Sequence, residues 1–75
     1  MINKFISNTG TILAVDDFYG SGTDEVIKSF ERSGEKLTVN TDQGFYTLGL
    51  RPGDYLGSDD GTSEIIKTKY DKQDE

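Results

Sequence analysis

The apolar positions of this chain fall in short runs separated by Gly, Asp, Asn and Ser. Thr11 to Val15 (TILAV) has β-branched ends, is too short for a helix and reads as a largely buried strand. Phe5 and Ile6 read as a separate short strand or a cover over the core. Asp16-Asp17 closes the apolar run, and Phe18-Tyr19-Gly20-Ser21-Gly22 reads as a loop with aromatic anchors. Thr23 to Ser33 (TDEVIKSFERS) predicts a helix of about three turns. Thr23 suits its N-cap, Asp24 and Glu25 suit the positive end of its dipole, and Gly34 suits a left-handed C-cap. Val26, Ile27 and Phe30 would then share one apolar face, with Lys28, Glu31 and Arg32 toward water.

Beyond Gly34 the period changes to two. Lys36 to Asn40 alternates with Leu37 and Val39 inward, and Phe45 to Leu50 alternates with Tyr46, Leu48 and Leu50 on one face. The cluster Thr41-Asp42-Gln43-Gly44 between them predicts a hairpin. Arg51-Pro52-Gly53-Asp54 has the residue pair of a type II turn. Tyr55-Leu56 starts another strand, Ser58-Asp59-Asp60-Gly61 is a further turn, and Ser63 to Tyr70 returns. In that last strand Ile66, Thr68 and Tyr70 share one face. The predicted fold is α+β, one short helix packed on a curled antiparallel sheet of about five strands. Residues 1–70 form a single small α+β domain, and residues 71–75 (DKQDE) are a polar C-terminal tail.

The predicted core joins Val26, Ile27 and Phe30 of the helix to Leu13, Val15, Leu37, Val39, Leu48 and Leu56 of the sheet. Phe18, Tyr46 and Tyr55 are assigned to the core as well, and Tyr19 and Phe45 to the exposed surface. With 75 residues and no Cys, the core is small and nothing staples it covalently, which favours a homodimer that covers open sheet edges. The absence of Cys also fits a reducing cytosol. No continuous apolar stretch follows Lys4, so the start of the chain is not a secretion signal, and no window approaches the ~20 apolar residues of a membrane span.

The chain has no His, so it offers no imidazole base, no Ser-His-Asp triad and no His-bearing zinc site. No hydroxyl stands out as a nucleophile, and the expectation is a protein that is not an enzyme, with no catalytic residues, no metal and no cofactors. Gly20-Ser21-Gly22-Thr23 superficially matches a phosphate-binding loop, but Gly22 stands where the Lys belongs, and Asp24 and Glu25 repel an anion. Asp59, Asp60 and Glu64 are oxygen donors without the spacing of a calcium loop. A hairpin tip uses Asp-Asp-Gly for its turn alone. Paired carboxylates that cleave glycosides need a cleft that so small a sheet has little room for.

The formal net charge is −6, from 14 acids and 8 bases. The bases are scattered, so direct binding to nucleic acid or anionic lipid is disfavoured. A DNA-mimic reading needs acids arrayed on one face, whereas here they are spread along the chain. The residues best suited to bind a basic protein surface are Asp16, Asp17 and Tyr19 in the first loop, Asp59 and Asp60 at the last tip, and Phe45. The plain alternative is that both segments are solvated turns.

Four segments, ILAVDDFYG, EVIKSF, LTVNTDQG and PGDYL, carry a resemblance. Their order resembles small uncharacterised bacteriophage and prophage proteins that have a C-terminal Gly-Asp-aromatic-aliphatic hairpin. The family's Gly-Glu-aromatic-Tyr-Pro-Cys run is replaced here by GTSEIIKTKY, and its Lys-Pro start is missing. The resemblance implies phage origin and the cytoplasm of a bacterial host, with no active-site residues to carry over. The Gly-Asp step also has a local explanation, in which Gly53 serves the turn and Asp54 caps backbone N–H groups. The expected function is a phage accessory protein that binds a host bacterial protein, such as a nucleic-acid-binding defence enzyme (a CRISPR effector or restriction enzyme), and inhibits or redirects it. The alternatives are a module that sequesters a nucleotide signal, in a pocket between protomers, and a minor structural or assembly protein of the virion.

Overall fold

The computed structural model describes residues 1–20, 22 and 24–67. Among these there is no helix, and the expected α+β fold is replaced by an all-β one. The seven strands are β1 (Ile2–Ile6), β2 (Ile12–Ala14), β3 (Ile27–Ser33), β4 (Lys36–Thr41), β5 (Gly44–Gly49), β6 (Tyr55–Ser58) and β7 (Ser63–Ile65). They form a four-stranded sheet ordered β2-β1-β6-β7 and a three-stranded sheet ordered β3-β4-β5, with every neighbour antiparallel.

Most of the segment expected to be helical is β3, and a β-bulge explains its helix-like spacing; Thr23, the expected N-cap, lies outside the described residues. Ile27 faces Thr41 while Ser29 faces Asn40, so Lys28 is an extra residue in β3. The extra residue puts Ile27 and Phe30, three apart, on the same inner face, where they are 0% and 3% exposed. Two apolar residues at a helical interval thus arise from a strand with one insertion, whereas Val26, expected in the core with them, precedes the strand half-buried and bridges to Phe18. Gly34 does not cap a helix. It opens the two-residue turn between Ser33 and Lys36 with φ 61°, and Glu35 is not in the positive-φ region, which defines a type II′ hairpin turn. The same device recurs in β1, where Asn3 is the extra residue and Ile2 and Phe5 both face inward.

The β4–β5 hairpin forms as the alternation indicates, with Leu37 opposite Leu48 and Val39 opposite Tyr46. The Pro52-Gly53 turn is also present. Gly53 has φ 90°, and the Asp54 N–H donates to the Arg51 carbonyl at 3.0 Å. Strand β7 ends at Ile65, and Ile66 is buried and bonded through its backbone to Gly53 and Asp54. Thr68 to Tyr70 and the expected tail lie outside the described residues.

The two sheets are joined by the stretch after β2. Asp16 turns the chain with φ 77°, a left-handed conformation that Asp tolerates better than most residues. The backbone then pairs with the start of β3: Asp16 N–H donates to Ile27 O, Ile27 N–H to Asp17 O, and Tyr19 N–H to Glu25 O, all within 2.8–2.9 Å. The core lies between the sheets. Phe5, Leu13 and Leu56 come from one side and Ile27, Phe30, Leu37 and Val39 from the other, with Leu50 and Ile66 closing it. At its rim Arg32 and Glu64 bridge the sheets at 2.6 Å. Val15 and Leu48 pack against this core half-buried. Phe18 was expected inside but is 61% exposed, because it pairs with Val26 at the junction and turns its side chain out. Tyr46 also belongs to the surface rather than the core, and Tyr55 is half-buried on the outer side of the four-stranded sheet.

Candidate functional site

The residues singled out for binding do not form one surface. Asp16 and Asp17 sit in a turn whose backbone is paired with β3, so this segment is the hinge between the sheets rather than a free loop. Asp59 and Asp60 lie on the tip between β6 and β7. The Asp59 carboxylate accepts from the Met1 ammonium at 2.9 Å, which raises the pKa of the amino group, and Asp60 Oδ1 accepts from the Thr62 N–H at 3.1 Å and its hydroxyl at 2.8 Å. Those bonds from Thr62 lower the Asp60 pKa and shape the turn. Asp16 and Asp59 do meet across a shallow groove of about 460 Å³, but Lys4, Lys28 and Met1 line it too, so its charge is mixed.

Phe45 and Tyr19 lie apart. Phe45 pairs with Asn40 on the outer face of the three-stranded sheet, 68% exposed. Tyr19 is half-buried, because its ring stacks on Tyr46 with centroids 4.2 Å apart and planes within 4°. Glu25, read from sequence as a helix-dipole partner, locks this stack. Its carboxylate accepts from the Tyr46 hydroxyl at 2.6 Å and the Thr41 hydroxyl at 2.5 Å, and the bond to Glu25 raises the Tyr46 pKa. No spacing rule links Glu25 to Tyr46, which belongs to another strand.

A second groove, of about 420 Å³, opens between the sheets. Phe5, Leu13 and Leu48 contribute its apolar lining, and Tyr19 lines one side. Its rim carries Asn8 and Thr11 from the β1–β2 connection and Arg51 from the turn after β5. Asp54 fastens this rim. It is 2% exposed, and its carboxylate accepts from the Asn8 N–H at 2.7 Å and the Arg51 N–H at 2.8 Å. The capping role read from the Gly-Asp step is therefore present, and it extends to a loop 46 residues away, which sequence did not show.

The four-stranded sheet has a third feature on its outer side. Ile12, Ile6, Tyr55 and Ile65 are mutually opposite in register and form one apolar row across all four strands. Ile12 is 60% and Ile65 59% exposed. The neighbouring row, Ala14, Lys4, Gly57 and Ser63, contains no acid.

Among the described residues, no three His, Cys, Asp or Glu side chains are placed to hold a metal ion, and Glu64 is engaged with Arg32 instead of Asp59 and Asp60. No helix there is long and apolar enough to cross a membrane. Comparisons with protein-family models, with curated proteins and with solved structures gave no match.

Proposed function

We propose that this chain is a small non-enzymatic binding protein that docks on another protein through the outer face of its four-stranded sheet. The observation that carries this reading is the row Ile12–Ile6–Tyr55–Ile65. Apolar side chains set opposite one another across every strand of a solvent-facing sheet have no role in the domain's own core, and such contiguous patches mark interaction sites. The rest of the surface carries the acidic excess, which steers the chain toward basic partners such as nucleic-acid-binding enzymes, while the acid-free row supplies the contact. In the phage setting that the sequence resembles, the partner is a host protein in the bacterial cytoplasm, inhibited or redirected by the contact.

The test compares captures from a bacterial lysate by the parent, by Ile12→Lys with Ile65→Lys, and by Asp16→Lys with Asp17→Lys. The row variant should lose proteins that the parent and the acid variant retain, with unchanged circular dichroism. Identical captures by parent and row variant would remove the row from consideration. A second reading, a module that holds a small ligand, is favoured by the 420 Å³ groove between the sheets.

A further inference from the structure

The groove between the sheets has the attributes of a preformed ligand site. Its volume of about 420 Å³ lies within the range of small-molecule pockets, and an apolar interior meets a polar rim. Both sides are held by side chains that do not themselves need a ligand. On one side Tyr19 is stacked on Tyr46, which Glu25 fixes through its hydroxyl. On the other, the buried Asp54 carboxylate ties the Asn8 and Arg51 backbones together. A buried carboxylate is a costly fastener, and here it sets the separation of the two rim segments. Preorganisation of this kind lowers the entropy lost on binding.

The rim also retains free hydrogen-bonding capacity. Arg51 donates its backbone N–H to Asp54, but its guanidinium makes no hydrogen bond or ion pair among the described residues, and neither does the Thr11 hydroxyl. A guanidinium beside an apolar hollow is suited to a planar anion that accepts two parallel bonds. The chain's overall −6 charge opposes an anion at a distance, but salt screens it beyond about 8 Å; of the two charged residues in the groove's described lining, the Asp54 carboxylate is taken up by the Asn8 and Arg51 N–H groups, and Arg51 supplies the cation.

We propose that this groove binds a small molecule with a flat apolar body and a carboxylate, the body lying against Phe5, Leu13, Leu48 and Tyr19 and the carboxylate on Arg51. The proposal rests on the ligand-module reading and adds the chemical class. It differs from a nucleotide site, since the rim offers one cation rather than the several donors a phosphate chain takes up.

The experiment is a titration of the isotope-labelled protein, followed by backbone amide shifts, with indole-3-acetate, its neutral counterpart 3-methylindole, and AMP. Indole-3-acetate should shift the amides of Asn8, Thr11, Gly49 and Arg51 and bind more tightly than the other two. Arg51→Gln, which keeps the backbone bond to Asp54, should weaken indole-3-acetate roughly three- to tenfold and leave 3-methylindole unchanged. Added salt should weaken indole-3-acetate and not the neutral 3-methylindole, a readout in the parent that stands whatever the variant does. Equal binding of acid and neutral compound, or tighter binding of AMP, would overturn the carboxylate assignment while the groove remained a ligand site. No shift at the groove amides with any of the three would overturn both.

Discussion

Replacing Asp54 by Ala probes the link between the fold and its groove most directly. The carboxylate is 2% exposed and accepts two backbone N–H groups, from Asn8 at 2.7 Å and Arg51 at 2.8 Å. Alanine leaves both donors without that acceptor. A buried orphaned donor costs about 1–3 kcal/mol, and hydrogen bonds to a charged acceptor stand at the stronger end of the scale. Both bonds are only part-buried, so water takes over some of the lost capacity. A total of about 2–4 kcal/mol is then expected, against a whole-domain stability of about 4–11 kcal/mol for this length. With a urea slope near 1 kcal/mol/M, the midpoint should fall by roughly 2–4 M. Asp54→Asn keeps one acceptor oxygen but turns an NH₂ toward an N–H donor, so it should recover less than half of the loss. The Asn8 and Arg51 amides should exchange faster in both variants by more than global destabilisation explains. A midpoint within error of the parent, or unchanged protection of the Asn8 amide, would refute the argument that this carboxylate fastens the rim.

Phe30→Ala removes a 3% exposed ring between the sheets and should cost about 3–5 kcal/mol, read as loss of cooperative thermal unfolding. Gly34→Ala meets no atom within 4 Å, so its cost is conformational only, about 1–3 kcal/mol for a residue held at φ 61° in the first position of a type II′ turn, measured by urea titration. Tyr46 ionises above its ordinary 10.0 in the folded state because its hydroxyl donates to Glu25. Its contribution is therefore fully present below pH 10 and lost as pH rises through the folded value. Tyr46→Phe should abolish that alkaline fall in melting temperature, and an unchanged fall would assign it to another group.

The β4–β5 hairpin and the Pro52-Gly53 turn were legible because each has a local signature: strict alternation for the first, a fixed residue pair for the second. The failure at Ile27–Ser33 is equally specific. One extra residue at Lys28 brings Ile27 and Phe30 to a spacing shared by helices and bulged strands, and the acids at 24 and 25 look like a helix start. The Ser33-Gly34-Glu35-Lys36 step held the contrary signal, since Gly at the first position of a two-residue turn is a hairpin mark. Strand β1 was only partly seen for the same reason, its alternation being broken at Asn3. The candidate site was less legible still. Glu25 acts on Tyr46 and Asp54 on Asn8 across distances in sequence that no local pattern encodes. Phe45 was correctly placed on the surface, whereas the row Ile12–Ile6–Tyr55–Ile65 exists only once the register of four strands is known.

The position of β1 between β2 and β6 governs the order in which the protein can acquire its structure. Phe5 lies opposite Leu56, about fifty residues later, whereas β3, β4 and β5 are joined by two tight hairpins. Local pairings close quickly and distant ones slowly. As the protein folds, the three-stranded sheet can therefore assemble while the first hairpin waits with the β6-facing edge of β1 unpaired. That edge is open to other extended chains until Tyr55 to Ser58 pair with it. Folding at high protein concentration is thus the circumstance in which this polypeptide is most exposed to misassembly.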